Sequence, residues 1–258
     1  MPLVEELERT GNVLFRWRSY LPLILVVLIA ASLPFLGEPF QSPVLDLVWE
    51  LFSIAVSLLG LFVRILTIGY APRSTSGRNT KKQVADTLST TGMYSLVRHP
   101  LYLGNFLLGL GVSLILIRAW WIPAIYALSF TLYYERIMLA EEQFLRGKFG
   151  EAYLAWTSRT HAIIPRLRGW AKPPTPFSTR QAIRREYQSA FGLALTLFLA
   201  EQFTEVRSAG WFSPDREWLV AIVASITIYL IFRFLHKKTR LLSSRPVEYP
   251  TPAGSIST

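Results

Sequence analysis

Six apolar stretches run roughly over residues 20–37, 44–69, 101–118, 119–140, 187–206 and 217–236. Each approaches the ~20 residues of helix that cross a bilayer's hydrocarbon core. Apolar residues make up 51% of the 258 and charged residues only 17%. The apolar ones are bunched instead of spaced at a helical or strand period, which argues against a soluble domain. The expected fold is all-α: a polytopic membrane protein with about six transmembrane helices. The first stretch is short, and Pro34 is expected to bend its end. It has no A-x-A-like cleavage site and more spans follow, so it reads as a span and not as a signal peptide.

The charges between the stretches orient them. Segment 70–100 carries Arg73, Arg78, Lys81, Lys82 and Arg98 against Asp86 alone. Segment 141–186 carries nine basic residues, from Arg146 to Arg185. The connections at 38–43 and 119–121 hold no Lys or Arg. The positive-inside rule then predicts cytoplasmic termini and cytoplasmic basic segments, and an even number of spans requires the same. A net charge of +10 invites a nucleic-acid reading. The basic residues sit just beyond span ends, however, where they suit anionic lipid headgroups. No cysteine and only three histidines leave no disulfide, no thiolate chemistry and no His-rich metal centre.

Along the chain, residues 1–19 read as a cytoplasmic amphipathic segment and 20–165 as a transmembrane core. A basic, proline-rich linker over 166–186 separates that core from a C-terminal transmembrane hairpin at 187–240. Residues 241–258 read as a disordered tail. Arg118, Trp120, Trp121 and Pro123 mark the turn between the third and fourth spans.

Two cytoplasmic patches place polar groups at membrane ends. In TTGMYSLVRHPLYLGNFLLGLG, residues 90–111, Pro100 suits the first turn of a helix. The free N–H groups of that turn and the dipole's positive end would favour a carboxylate or phosphate. Arg98 and His99 lie beside it, and Tyr102 shares the face of His99. Gly104 and Gly111 would let another helix come close. The plainer alternative is that Arg98 and His99 only mark the interface. In YYERIMLAEEQFLRGKFGEAYLAWTSRTHAIIP, residues 133–165, a helix leaves the membrane near Ala140 and runs on as an amphipathic cytoplasmic helix. Glu135 and Arg136 are ionisable near its last apolar turns, and Glu141 and Glu142 are adjacent carboxylates at the boundary. The alternative here is a solvated face with pairs such as Glu142–Arg146.

These two patches, in this order, resemble the membrane methyltransferases that include isoprenylcysteine carboxyl methyltransferase and phosphatidylethanolamine N-methyltransferase. The likeness covers approximately residues 79–165 and the preceding span, and rests on TTGMYSLVRHPLYLG followed by EEQFLRGKFGEAYLAWTSRTHAIIP. The resemblance implies S-adenosylmethionine as cofactor, contacted at Tyr94, His99, Pro100, Leu101 and Tyr102. It implies a second cofactor strip at Asp86, Thr87, Leu88 and Ser89, with Glu141 as the cofactor glutamate and Glu142 its neighbour. Arg159 falls where the carboxyl methyltransferases keep an arginine ahead of a closing proline, here Pro165. Those enzymes carry a substrate-contacting arginine four residues before the cofactor glutamate. Ile137 holds that position here, and Arg136 is about 100° around the helix from it.

The expected function is methyl transfer to a membrane-resident lipid or lipidated substrate at the cytoplasmic face. An anionic acceptor is preferred, with Arg136, Arg159 and Glu142 as catalytic candidates. A phosphate or carboxylate needs no strong base, whereas an amine acceptor would call on His99 or Glu142. Two other classes compete. Membrane sterol reductases that use NADPH share an Arg-His-Pro-x-Tyr-x-Gly element, but their downstream motif resembles Arg-Asp where this chain has Glu141-Glu142. A non-catalytic membrane scaffold would bind no cofactor.

Overall fold

A computed structural model of the chain describes residues 2–17, 27, 42–71, 85, 87–115, 120–209 and 214–239. The first apolar stretch apart from Val27, Asp86, Arg118 and the 241–258 tail lie outside the described residues. Seven helices make up the regular structure of the described residues. They are α1 (Leu3–Trp17), α2 (Pro43–Tyr70), α3 (Met93–Leu96), α4 (Pro100–Ile115), α5 (Trp121–Thr157), α6 (Thr179–Ala209) and α7 (Arg216–Lys238). The all-helical expectation holds for these residues.

Length and composition qualify two of them to cross a membrane, Val44–Tyr70 within α2 and Arg216–Lys238. Their outward faces are apolar, with Leu51, Phe62, Val223 and Ile231 each about half exposed. The other apolar stretches are diluted or shorter. α4 has 16 residues, Glu135 and Arg136 interrupt α5, and Glu201, Gln202 and Glu205 interrupt α6.

α2 and α4 pack backbone to backbone because both present small residues. A Cβ on Gly60 would lie 2.6 Å from the Gly104 carbonyl oxygen, and one on Gly104 would lie 2.5 Å from Arg64 Cγ. Gly111 faces Ser57 and Ser53 just as closely. The polar atoms left along this seam pair across it: Ser57 Oγ donates to the Leu108 carbonyl (3.2 Å) and Trp49 Nε1 to the Leu114 carbonyl (2.8 Å). An aromatic core of Phe15, Tyr126, Phe130 and Tyr134, with Ile137 and Met138, joins α1, α4 and α5. Gly11 sits against the Arg136 carbonyl, so α1 lies directly on the α5 backbone.

α5 is not one continuous rod. Gly150 has φ 50° and ψ −124°, a conformation that side-chain-bearing residues avoid. The chain bends there, and 151–157 turns back as a short helical return. The 166–186 segment also differs from a free linker, since α6 already begins at Thr179. The stretch before it is a strap stitched to the end of α2 and to the segment around α3 and the start of α4. Arg98 and His99 N–H donate to the His161 and Ala162 carbonyls (2.8 and 3.2 Å). Arg166 N–H donates to Leu96, and Gly92 N–H to Ala171. Farther on, Ser178 N–H donates to Gly69, and Gln181 Nε2 donates to the Ile68 and Ala71 carbonyls (2.8 Å each). Gln181 thereby pairs the Ala71 carbonyl just past the end of α2 and adds a second donor to Ile68, which already accepts from the Ala71 N–H.

Candidate active site

The first turn of α4 and the middle of α5 meet beneath this strap. Glu141 and Glu142 are consecutive on α5, and both reach α4. The Tyr102 hydroxyl donates to Glu141 Oε1 at 2.7 Å. His99 lies between the two carboxylates, Nε2 at 3.1 Å from Glu142 Oε1 and Nδ1 at 3.7 Å from Glu141 Oε2. Arg98 Nη1 donates to Glu142 Oε2 at 3.0 Å. The His99 ring stacks on Tyr102 with centroids 5.6 Å apart, and Tyr102 in turn meets Tyr134 at 4.7 Å. His99 is buried, its side chain 7% exposed, while both glutamates keep 24%.

Because of the bend at Gly150, Tyr153 and Trp156 fold back onto the cluster. Trp156 Nε1 donates to the Tyr94 carbonyl at 3.1 Å. Burial works against the Glu142 carboxylate, but the His99 hydrogen bond, the His99 charge and Arg98 outweigh it and hold it below the ordinary range. The Tyr153 phenol is pushed up, by burial first and by the charge of Glu142 second. Burial and then the charge of Glu141 also push the Tyr94 phenol up, while Arg185 of α6 pulls the other way.

Three buried polar atoms have no hydrogen-bond partner among the described residues: Arg98 Nε and Tyr153 Oη, both on side chains beside Glu142, and Ser89 Oγ on the segment leading into α3. Buried polar atoms are nearly always paired. Arg98 and Tyr153 both lie beside Glu142, so their unpaired atoms offer hydrogen bonds there to a polar ligand.

The structure gathers His99, Pro100, Tyr102, Glu141 and Glu142 at one point, with Tyr94 behind them. Thr87, Leu88 and Ser89 lie on the segment leading into α3, and Leu101 is half-buried in the first turn of α4. Asp86 lies outside the described residues. Arg136 and Arg159 do not join the cluster. Arg136 is exposed, and Arg159 is exposed with its Nε turned back to the Ala155 carbonyl at 3.2 Å. Ile137 is fully buried in the aromatic core. The N–H groups expected free at the start of α4 are partly spent. Tyr102 and Leu103 N–H both donate to the His99 carbonyl, and the Arg98 and His99 amides pair with the strap. Side chains therefore offer most of the site's polarity. Sequence reasoning left out Tyr153, although the Phe149-Gly150-x-x-Tyr153 spacing carried it. It placed Arg98 beside the helix start without giving it a partner.

Residues 51–152 match the family described as phospholipid methyltransferase. The match takes in under half of the chain. A cobalt-zinc-cadmium resistance protein of Cupriavidus metallidurans is 36% identical over 118 residues, 44% of this chain and 50% of that protein. The protein-S-isoprenylcysteine O-methyltransferase of Tribolium castaneum is 29% identical over 160 residues, 59% of this chain and 55% of the enzyme. Its counterpart in Saccharomyces cerevisiae is 30% identical over 146 residues, 52% of this chain and 60% of the enzyme. The chain thus spans about half the length of the first relatives it matches. No solved structure matches it. The family match runs from α2 to just beyond Gly150, so it contains Arg98, His99, Tyr102, Glu141 and Glu142. Among the described residues, no group of three or more His, Asp or Glu side chains is arranged to hold a metal ion.

Proposed function

We propose that the protein transfers a methyl group from S-adenosylmethionine to an anionic headgroup, phosphate or carboxylate, of a membrane-resident lipid or lipidated molecule. The observation that carries this reading is the cluster of Glu141, Glu142, His99 and Tyr102 beside the unpaired Arg98 Nε and Tyr153 Oη. That donor and acceptor set fits a zwitterionic cofactor. Glu141 and Glu142 would take its ammonium or ribose hydroxyls, and Arg98 and Ser89 its carboxylate. When bound, the cofactor supplies a sulfonium methyl group open to in-line displacement. The chain's own part is to hold the acceptor in line and to exclude water. The strap, Trp156 and Tyr153 form the cover over that point.

An oxygen acceptor is favoured because two relatives are O-methyltransferases by name. An ionised phosphate or carboxylate needs no base, which leaves Glu142 free to remain a carboxylate paired with Arg98 and His99. The six-span arrangement with both termini and the site on the cytoplasmic side follows from the basic segments. In it, the exposed Arg136 and Arg159 flank the site at the membrane surface, where an anionic headgroup would meet them.

Calorimetry in detergent with S-adenosylmethionine and NADPH in parallel tests the cofactor. Binding of the first alone is expected, and binding of NADPH alone returns the sterol-reductase reading. Arg159→Ala is expected to lower turnover on anionic lipid extracts at unchanged cofactor affinity. Label found on an amine, stable to base and indifferent to Arg159→Ala, rules the anionic acceptor out.

A further inference from the structure

A second polar cluster lies deeper in the bundle. Arg64 sits on the apolar helix α2, where an ionisable group needs a partner. It finds one in Glu186 of α6, which takes two hydrogen bonds, from Nε at 2.8 Å and from Nη2 at 2.7 Å. Arg64 is 17% exposed and Glu186 3%. A further guanidinium nitrogen, Nη1, donates to Asn105 Oδ1 of α4. The other end of the Asn105 amide reaches the Tyr134 hydroxyl of α5 in a long contact of 3.5 Å. Asn105 is one turn beyond Tyr102 on α4, and Tyr134 is two turns before Glu141 on α5, so both point along the faces that carry the candidate site. The Tyr134 ring lies against Tyr102, whose hydroxyl holds Glu141.

We infer that Arg64, Glu186 and Asn105 are positioning residues for the site, acting through Tyr134 and Tyr102 on Glu141. The inference rests on the cofactor-binding reading above and assigns a task to the C-terminal hairpin. Glu186 lies beyond the stretch that matches the family, yet its carboxylate fixes the guanidinium that orients Asn105. A bidentate pair holds an arginine in one plane more firmly than a single contact. That plane decides where the Asn105 amide, and with it the Tyr134 hydroxyl, can sit.

The test separates positioning from simple support. Glu186→Ala leaves Arg64 buried without its anion and is expected to destabilise the fold. The double variant Arg64→Met/Glu186→Met removes both charges and should recover stability, because apolar replacements of a buried pair are commonly tolerated. Wild type, the double variant and Asn105→Leu would be labelled with 3-fluorotyrosine. The Tyr102 resonance is assigned among the eleven tyrosines by its loss in Tyr102→Phe. Positioning predicts that the double variant melts like wild type, yet shifts the Tyr102 resonance and binds S-adenosylmethionine roughly three- to tenfold more weakly. Asn105→Leu should do the same. A wild-type Tyr102 resonance and wild-type affinity in the double variant would overturn the inference and leave the pair a support only. If wild type itself binds no S-adenosylmethionine, the functional reading fails, and the Tyr102 resonance alone decides for or against positioning.

Discussion

The molecule holds two polar clusters of similar composition and opposite finish. Around Arg64 the guanidinium has hydrogen-bond partners on Glu186, Asn105 and Ser189. Around His99 the ionic pairs are also made, but Arg98 Nε and Tyr153 Oη stay buried and without a hydrogen-bond partner among the described residues. The first cluster is closed on itself and joins three helices. The second is built from one helix start, one helix middle and a folded-back return, and it is open to something more. On the proposed function the closed cluster holds the fold and the open one takes the ligand, so removing a member should have opposite consequences in the two places.

Stability should show the larger contrast. Glu186→Ala strands a buried guanidinium and should cost about 3–5 kcal/mol. Glu142→Gln keeps the shape, leaves Arg98 with partial solvent access and leaves His99 its contact with Glu141, so its cost should stay within ~1 kcal/mol. Thermal or denaturant unfolding in detergent checks both. Equal losses would mean that the His99 cluster is as structural as the other.

Ligand affinity should reverse the order. His99→Ala and Glu141→Gln each remove a charge-assisted contact of roughly 1.5–3 kcal/mol. That corresponds to about ten- to a hundredfold weaker S-adenosylmethionine binding by calorimetry, with expression and monodispersity unchanged. Unaltered affinity in both variants would hand these residues back to a plain interfacial role.

The contrast also marks what a sequence can disclose. The open cluster was legible because its members fall within short motifs whose spacing is a helix turn or less, His99 to Tyr102 and Glu141 to Glu142. A known family pattern then brought the two motifs together. The closed cluster was not legible, because Arg64 and Glu186 are 122 positions apart and each alone reads as a basic or acidic residue at a span end. The apolar stretches announced α2, α4, α5, α6 and α7, since bunched hydrophobicity is a local property. The strap escaped notice for the converse reason. Its prolines and arginines look like linker composition, and only the paired carbonyls of His161, Ala162 and Ala171 reveal that it is fastened to α3 and α4. Arg136 was a natural candidate by charge, yet the helix turns it outward and puts Ile137 into the core.

Gly150 offers a way to disturb the open cluster without touching any of its polar groups. A Cβ there would meet nothing within 4 Å, so crowding is not the issue. The backbone at φ 50° and ψ −124° is what a side chain would strain, at about 1–3 kcal/mol. Gly150→Ala should lower the melting temperature and also weaken cofactor binding, since Tyr153 and Trp156 depend on the bend to reach the site. A variant that melts lower but binds normally would show that the folded-back return is cover alone.

The smallest effect expected is a pH slope, and it belongs to the open cluster. Glu142 is held below the ordinary carboxylate value of 4.5 in the folded protein. Burial opposes this, but the His99 hydrogen bond and charge and Arg98 more than offset it. In the unfolded chain the same carboxyl binds its proton at the ordinary value. Between the two values the unfolded state therefore holds more protons, so stability rises with pH there. The contribution is complete above the unfolded value and disappears as pH falls through the lower, folded one. Other carboxylates add their own slopes, so the informative quantity is the difference between wild type and Glu142→Gln. Melting temperatures of the two should diverge as pH rises through the range just below 4.5 and run parallel above it. Restoring the slope requires an ionisable group at the same place, so Glu142→Asp should recover part of it if the shorter side chain still reaches His99. Parallel curves throughout would mean that His99 and Arg98 do not favour the charged form of Glu142, and the open cluster would lose its claim to a standing carboxylate.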